Sequence, residues 1–440
     1  MPASPADSAI YRQLFSDDEG ARLFSDSAEL RAMLIVEAAL AKVQGETGLI
    51  PPEAAAFIAR AAHEVQIDPA GLAAETGVNG VPVPAFLAAF RKAAEAPDLM
   101  QYLHWGATSQ DIMDTALALR LRRMLELWQA RLDAVLQRLG RLARDHADLP
   151  MAGRTFGQAA TPVSFGAVVA AWGWPLLGWR DGFDPLRAAV LNVSLSGAAG
   201  TLSAMGEAGP EVRARLAEAL GLADPGHSWH SDRSGMARLA GFAAGLAGSL
   251  GKMGEDVILL AQSGLAEVSL GGGGSSSTMP QKRNPVAPSV LVALSRQVIG
   301  LAATMQGAGL HRQQRDGAAW FTEWLTLPQM CISTGKMLAL AEGMLAGLTP
   351  DGEAMRVQLD GGLGLIHAEA LAFALAARLP RPEAQAEVKA LCARALDSGL
   401  PLAALVAERF PDGDWAALFG AGGLGQAPAE ARAFAARLGH

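Results

Sequence analysis

The chain has 440 residues, of which 50% are hydrophobic and only 6% aromatic, so it is long enough to bury a large core or several smaller ones. Acidic and basic residues are interspersed and give a formal net charge of −8, which excludes the clustered basic surface of a nucleic-acid-binding protein and favours a small-molecule ligand. Two widely separated cysteines, Cys331 and Cys392, lack a neighbouring Cys/His cluster, which argues against a disulfide framework or a zinc site.

The N-terminal residues 1–105 are predicted to form a smaller helical domain. Residues 1–7 lack the basic and apolar segments of a secretory signal, so we expect a cytoplasmic protein. Asp26 precedes Glu29 at the spacing of a capping box, which predicts a helix that opens at Asp26 and runs to about Glu46. Glycine and proline residues directly after this segment are expected to end the helix.

The first motif along the chain is HWGATSQDIMDT, residues 104–115. Thr108 and Ser109 lie where a long helix is predicted to begin, so they could donate hydrogen bonds to a carboxylate at the helix N-terminus. A simple Ser/Thr cap of the helix is the alternative interpretation. Asp111 and Asp114 are interpreted as helix-start carboxylates, which the helix dipole favours.

The middle of the chain, residues 106–348, is predicted to be a bundle of long helices. Apolar residues recur every three or four positions over residues 117–142, 239–260 and 290–305, which is the period of one helix face. The first of these helices would extend over about nine or ten turns. Residues 286–310 contain a single charged residue, so we expect their remaining faces to contact neighbouring subunits.

Residues 155–179 contain no charged residue, over a length that could cross a bilayer. Several polar side chains and two prolines make this segment a poor membrane span. We therefore predict a helix that is surrounded by protein.

The most informative segment is GGGGSSSTMPQKRNP, residues 271–285. Four consecutive glycines give the backbone great freedom, which a plain linker could use but a catalytic lid would need. The segment ends in a lysine, an asparagine and two prolines, and so combines a fixed cation, an amide and rigid turns. That ending is unusual for a flexible linker and favours a catalytic lid.

Residues 276–285 reproduce the GSSxMPxKxNP signature, and the chain therefore resembles the fumarase/aspartase superfamily of all-helical homotetrameric enzymes. The resemblance implies that Ser276 is the acid or base at carbon and that Lys282 and Asn284 meet substrate carboxylates. A serine hydroxyl is a feeble base, so its oxyanion would need stabilisation by Lys282 and backbone amides. Ser275 departs from the family pattern, which has a glycine there.

Two further regions of the superfamily occur in the expected order. Residues 104–115 resemble the first region and residues 153–162 resemble the second. Together with the glycine-rich segment they span most of the central bundle, so the resemblance covers the fold and not only one loop. It assigns substrate binding to Thr108, Ser109, Thr155 and Gln158.

Departures from the family pattern favour one subfamily. Adenylosuccinate and argininosuccinate lyases have a histidine that helps protonate a nitrogen leaving group, whereas this chain has Phe156 there, and Gln110 stands where adenylosuccinate lyases carry another histidine. A carboxylate is anionic at neutral pH and attacks or leaves without a proton donor, which an amine does not. The chain therefore resembles the cycloisomerases of the β-ketoadipate pathway, which convert 3-carboxymuconate to 4-carboxymuconolactone.

Two more residues are candidate substrate contacts by resemblance. Arg315 stands where relatives place an arginine that pairs with a substrate carboxylate, and a surface arginine is an equally good interpretation. His230 lies in a region that contributes to the cleft in relatives. A lone histidine is more often structural, and we interpret His104 in the same way.

The sequence thus predicts an all-α chain with three helical domains, residues 1–105, 106–348 and 349–440, whose central bundle forms the core of a homotetramer with shared active sites. No cofactor, metal, nucleic acid or membrane is implied. One alternative is a lyase of the adenylosuccinate or argininosuccinate type that releases fumarate. The other is a non-catalytic structural protein on the same scaffold, which the intact Ser276 and Lys282 disfavour.

Overall fold

The structure is a computed structural model that describes residues 4–271, 274–275, 279, 281–419 and 421–440. Helices dominate these residues, as the sequence predicts. The α-helices are α1 (Arg12–Phe15), α2 (Asp18–Arg22), α3 (Asp26–Glu46), α4 (Pro52–Glu64), α5 (Ala73–Asn79), α6 (Val83–Ala94), α7 (Pro97–Met100), α8 (Ser109–Asp145), α9 (Phe165–Asp181), α10 (Phe183–Val190), α11 (Gly209–Leu220), α12 (Ser234–Leu260), α13 (Val286–Ala308), α14 (Gly317–Gly347), α15 (Gly352–Asp360), α16 (Ala368–Ala376), α17 (Arg381–Ser398), α18 (Leu402–Arg409), α19 (Ala416–Phe419) and α20 (Ala427–Arg437).

Short strands are the exception to the helical pattern. They form two-stranded antiparallel pairs, in which β1 pairs with β2, β3 with β6 and β4 with β5. The strands are β1 (Pro150–Thr155), β2 (Gln158–Ser164), β3 (Val268–Leu270), β4 (Gly274–Ser275), β5 (Arg283–Asn284) and β6 (Leu348–Pro350).

The chain divides into two compact units. The first unit comprises Met1–Arg131, Trp179–Gly248 and Leu294–Ala339, and the second comprises Leu132–Gly178, Ser249–Ala293 and Leu340–His440. The division into three domains near residues 105 and 348 stays a prediction.

The three periodic segments of the sequence form long helices. They become α8, α12 and α13, with 37, 27 and 23 residues. Residues of the apolar stripe of α8, such as Leu121 and Trp128, are fully buried. A further long helix, α14, was not predicted from the periodicity, and it contains Pro328 in its interior, where a proline normally breaks a helix.

Helix α13 is long and apolar enough to cross a membrane by length and composition alone. Its most apolar window has a mean hydropathy of 1.6, and 44% of that window is buried. Core helices of soluble proteins pass the same test, so this helix by itself does not indicate a membrane. Within the single chain Val298 is buried whereas Ile299 is half exposed, beside exposed small and polar residues such as Ala293 and Gln297.

Helix α3 forms much of the core of the first unit and packs against α4 and α11. Its buried side chains are mainly apolar, including the fully buried Met33 and Val36. The predicted end at Glu46 is confirmed, but the predicted cap is wrong by one residue. Ser25 is the N-cap, because it has extended backbone angles and its side chain accepts a hydrogen bond from the backbone N–H of Ala28.

The prediction of a buried helix over residues 155–179 is wrong for its first ten residues. They lie in the β1–β2 hairpin and its turn, and α9 begins only at Phe165. The turn residues Phe156 and Gly157 have φ angles of +50° and +75°, which fits a two-residue type I′ hairpin turn, in which both central residues have positive φ. Phe156 is fully exposed, so the charge-free sequence did not indicate burial there.

Helix α14 is followed by a short strand and then by a capped helix. Residues Leu348–Pro350 form β6, which pairs with β3. Asp351 then caps α15, because its side chain accepts hydrogen bonds from the backbone N–H groups of Glu353 and Ala354.

Candidate active site

In the first unit, the site begins at the N-terminus of α8. Thr108 directly precedes the first helical residue, Ser109. The backbone N–H of Thr108 donates to Oδ2 of Asp111 at 3.0 Å, which is one half of a capping box. Thr108 and Ser109 are both partly exposed. Their hydroxyls therefore stand at the positive end of a long helix, where an anion is favoured.

Asp111 connects this helix start to two distant segments of the first unit. Its Oδ1 accepts hydrogen bonds from the backbone N–H of Ser196 at 2.8 Å and from Nε2 of His230 at 2.7 Å. Its Oδ2 also accepts from the backbone N–H of Gly197 at 2.9 Å. The carboxylate is fully buried, so these donors compensate its loss of hydration. The dipole interpretation of Asp111 was therefore incomplete.

His230 is a buried partner of this carboxylate. Its side chain is 1% exposed, and its backbone carbonyl accepts a hydrogen bond from the Gln110 side chain at 3.0 Å. Among the described residues its Nδ1 has no hydrogen-bond partner. Gln110, where adenylosuccinate lyases carry a histidine, is itself buried and also donates to Asp114 at 3.1 Å. The geometry supports a positioning role for His230 more directly than a substrate contact.

A buried ion-pair network lies next to these residues in the first unit. Arg233 donates to both oxygens of Asp114, at 2.7 and 3.2 Å, and to both oxygens of Glu323, at 2.7 and 2.6 Å. Burial alone would lower the pKa of Arg233, but the two carboxylates outweigh it and raise that pKa. Burial raises the pKa of Glu323, against the opposing effect of Arg233. Asp114 is thus an ion-pair residue and not only a helix-start carboxylate.

Arg315 lies beside the helix start. Its Nη1 donates to Oγ1 of Thr108, although the two residues are far apart in sequence. Arg315 is exposed, so its guanidinium keeps access to a ligand. The structure therefore brings Thr108 and Arg315 together, and an anion at the helix N-terminus would meet both.

The turn that precedes Thr108 is held by helix α3. Nδ1 of His104 lies 2.6 Å from Oε1 of Glu37, and the side chain of Gln44 donates to the carbonyl of Trp105 at 2.7 Å. Burial alone would lower the pKa of His104, but the charge and hydrogen bond of Glu37 raise it overall. This contact fits the interpretation of His104 as a structural residue, which stays a prediction. Glu37 and Gln44 were not singled out from the sequence.

In the second unit, Thr155 and Gln158 flank the turn of the β1–β2 hairpin. They are register partners at its end, and both are exposed. Phe156, at the position of the family histidine, stands fully exposed between them. The hairpin therefore presents two polar side chains and an aromatic ring, without an imidazole.

An ion pair holds β1 of this hairpin next to the turn. Arg154 donates to both oxygens of Glu267, at 2.7 and 3.0 Å, and Glu267 is fully buried. A two-point contact of this kind restricts the orientation of both side chains. It follows that the position of Thr155, the next residue, is restricted as well.

The glycine-rich segment returns on itself as a short antiparallel pair in the second unit. Gly274 faces Asn284 and Ser275 faces Arg283 across β4 and β5. Lys282 and Asn284 are both exposed, so their side chains are available to a ligand. Ser276, the predicted catalytic residue, lies outside the described residues.

A cavity of about 600 Å³ also opens in the first unit, among α3, α8 and α14. Its walls include Arg120, Trp320 and Trp324. Of the predicted residues of this unit, neither Thr108, Ser109, His230 nor Arg315 is among the described residues that line it. The cavity is therefore separate from the candidate carboxylate-binding residues.

The sequence of the chain matches known proteins over most of its length. A family described as lyase matches residues 9–300, which is more than half of the chain. The chain belongs to this lyase family. This membership confirms the resemblance to the fumarase/aspartase superfamily that the three motifs indicated.

Individual members of the lyase family agree in length and fold. The chain is 41% identical over 392 residues to a 3-carboxy-cis,cis-muconate cycloisomerase of Pseudomonas aeruginosa, covering 88% of this chain and 85% of that protein. It is 39% identical over 392 residues to a nitrosuccinate lyase of Streptomyces davaonensis, covering 86% and 82%. The crystal structure of a 3-carboxy-cis,cis-muconate lactonizing enzyme from Pseudomonas putida superposes with a TM-score of 0.92 at 34% identity, covering 98% and 100%.

Proposed function

We propose that the chain is a cycloisomerase that interconverts 3-carboxy-cis,cis-muconate and 4-carboxymuconolactone. The observation that carries this proposal is the 41% identity to a 3-carboxy-cis,cis-muconate cycloisomerase over 88% of this chain. Phe156 agrees with it, because it occupies the histidine position of the amine-releasing lyases and stands exposed at the hairpin turn. A side chain without a titratable group cannot protonate an amine leaving group. A carboxylate nucleophile needs no such proton donor, because it is already anionic at neutral pH.

The proposed reaction has two bond changes. A carboxylate oxygen of the substrate forms a C–O bond to one carbon of a double bond, and the electron pair moves onto the neighbouring carbon and its carboxyl group as an aci-carboxylate. Ser276 then delivers a proton to that carbon, and solvent restores the serine proton. Lys282 stabilises the serine oxyanion during this exchange.

The three carboxylates of the substrate require several fixed donors. The helix N-terminus supplies Thr108 and Ser109 together with the neighbouring guanidinium of Arg315. The hairpin and the glycine-rich segment supply exposed amides and a hydroxyl. His230 acts through Asp111, which holds Thr108. The proposed binding residues are Thr108, Ser109, Thr155, Gln158, Asn284 and Arg315.

A second candidate function is the release of nitrite from nitrosuccinate. It is favoured by the 39% identity to a nitrosuccinate lyase. Nitrite, like a carboxylate, is a stable anion and leaves without a proton donor, so Phe156 is compatible with it too. Phe156 argues only against the adenylosuccinate and argininosuccinate reactions, in which an amine leaves.

One set of assays on the purified chain tests these functions. We expect loss of the absorbance of 3-carboxymuconate, and neither nitrite from nitrosuccinate nor fumarate from adenylosuccinate or argininosuccinate. Ser276→Ala should lower kcat on 3-carboxymuconate by at least a hundredfold, in the range for removing a positioned proton donor. Nitrite release at a higher kcat/KM than lactone formation would replace the proposal with the second candidate.

The control for Ser276→Ala is Ser289→Ala. Ser289 is an exposed serine of α13 whose hydroxyl donates to the carbonyl of Pro285 at 2.7 Å. It lies near the same segment but outside the signature. Activity that survives Ser276→Ala as well as Ser289→Ala would rule out the assigned proton transfer. A native chain without activity on any of these substrates would favour the non-catalytic alternative.

We further infer a cytoplasmic homotetramer with active sites shared between subunits. Helix α13 supports this inference, because it is highly apolar, only 44% of its most apolar window is buried in the single chain, and another protein surface would cover exposed apolar residues such as Ile299. The exposure of Thr155, Gln158, Lys282 and Asn284 in the single chain also fits residues that complete a site with another subunit.

A further inference from the structure

Two polar residues interrupt the apolar surface of α3. Glu37 and Gln44 are each only 1% exposed, in a helix whose other buried side chains are mainly apolar. They are two helical turns apart, so they lie on the same face. A buried polar side chain costs free energy unless it forms hydrogen bonds. These two residues therefore need partners, and the identity of those partners indicates their role.

Both side chains reach the same turn of the chain. Glu37 pairs with Nδ1 of His104 at 2.6 Å, and the amide of Gln44 donates to the carbonyl of Trp105 at 2.7 Å. His104 has a φ of +66° and Gly106 a φ of +71°. A histidine in this left-handed region is unfavourable by itself and persists where surrounding contacts hold it. The two contacts from α3 supply that restraint.

The restrained turn leads directly to the proposed carboxylate-binding residues. Gly106 is two residues before Thr108, whose backbone N–H is held by Asp111 at 3.0 Å. A relaxed turn would change where the hydroxyls of Thr108 and Ser109 point. Misplacement by about 1 Å is enough to weaken binding or catalysis strongly.

The carboxylates around His104 strengthen its contact with α3. Glu37 of α3 and Asp111 of α8 favour the protonated imidazole, whereas Arg91 of α6 opposes it. Arg91 is directed to the carbonyls of Met100 and Leu103 by hydrogen bonds at 3.4 and 3.2 Å. The protonated imidazole of His104 is therefore held to α3 by the negative charge of Glu37.

We infer that Glu37 and Gln44 are positioning residues, which hold the His104–Gly106 turn so that Thr108 and Ser109 meet a substrate carboxylate. This inference rests on the proposed function, because it requires substrate binding at Thr108 and Ser109. The restraint of the turn itself can be measured without a substrate.

Amide hydrogen exchange over residues 104–110 tests the restraint. Gln44→Leu removes the donor to Trp105 at similar volume, and Glu37→Leu removes the partner of His104. Both should raise the exchange rates of these amides by at least tenfold in the intact chain. Unchanged exchange would overturn the inference, whatever the substrate of the enzyme proves to be.

The matched control is Asp17→Asn, which weakens another ion pair of the first unit. Asp17 and Arg131 have side-chain exposures of 5% and 15%, close to the 1% and 14% of Glu37 and His104. This variant should lower thermal stability and leave both the exchange of residues 104–110 and KM unchanged. Equal effects of the control and the α3 variants would mean general destabilisation and would contradict the inference.

Steady-state kinetics on 3-carboxymuconate separate positioning from chemistry. Gln44→Leu should raise KM at least tenfold and change kcat less than threefold, because Ser276 is untouched. Glu37→Leu should raise KM as well. Glu37→Gln keeps a hydrogen-bond partner for His104, so at high pH its KM should lie much closer to that of the native chain than the KM of Glu37→Leu does. In the native chain KM should rise as pH rises through the raised pKa of His104. In Glu37→Gln this rise should occur at lower pH, because the negative charge that keeps His104 protonated is gone. A fall in kcat with constant KM would contradict the inference.

Discussion

His104 and Glu37 form a contact between a partly exposed imidazole and a buried carboxylate. Burial alone would lower the pKa of His104, but Glu37 outweighs burial and raises it above the usual value of about 6.5. The folded state therefore binds the proton of His104 more tightly than the unfolded state does. The stabilisation is complete below about pH 6.5 and is lost as pH rises through the raised pKa.

Thermal unfolding over a range of pH tests this linkage. At pH 6.5 Glu37→Gln should be less stable than the native chain, because it lacks the charge that favours protonated His104. Between pH 6.5 and 9 the native chain should lose this extra stability. The difference in melting temperature between the two proteins should therefore shrink as pH rises. A difference that stays constant or grows with pH would show that the charge of Glu37 does not act through His104.

Single residues of the candidate site were predictable where the sequence carries them in one continuous motif. Lys282, Asn284, Thr108 and Ser109 belong to this class, and the structure leaves all four at least partly exposed. Contacts between distant residues were not predictable, such as Asp111 with His230, which are 119 residues apart. The sequence analysis did not identify Glu37 and Gln44 as contacts of the turn before Thr108. Their polar character within an otherwise apolar helix was the signal that could have indicated it.

The β1–β2 hairpin is the element that the sequence analysis misjudged. Its turn pair, Phe156-Gly157, is not among the Asn-Gly and Asp-Gly pairs that usually mark such a turn. Helices α8, α12 and α13 were predictable because a long repeat of apolar residues has one period, whereas a short strand offers few positions to test. The hairpin also matters for function, since it presents Thr155 and Gln158.

Gly157→Ala tests the conformation of this turn. Gly157 has a φ of +75°, and a Cβ there would meet no atom within 4 Å, so backbone strain and not a clash should decide the outcome. We expect a loss of about 1 kcal/mol in the free energy of unfolding in urea. Gly178→Ala, in helix α9 and equally free of clashes, should instead gain about 0.5–1 kcal/mol. Equal effects of both substitutions would contradict the turn conformation.

At the scale of the whole molecule, the all-α fold class and the family were predictable from the sequence and are confirmed. The assembly was predictable only as an expectation, because partner surfaces do not appear in a single chain. The apolar composition of α13, whose most apolar window is only 44% buried in the single chain, gives that expectation a physical basis.

Light scattering during size-exclusion chromatography tests the assembly. We expect a mass of four chains of 45.6 kDa each. Ile299→Glu would place a charge on the half-exposed face of α13 and should lower the mass. A native chain that elutes as a monomer with full activity would contradict the shared-site tetramer.

The most direct test of the central claim is proton NMR of the product formed from 3-carboxymuconate in D₂O. Anionic oxygen attack followed by proton delivery from Ser276 predicts 4-carboxymuconolactone with one deuterium on the carbon next to the new C–O bond. A product without a lactone ring, or no turnover of 3-carboxymuconate beside rapid nitrite release from nitrosuccinate, would contradict the claim.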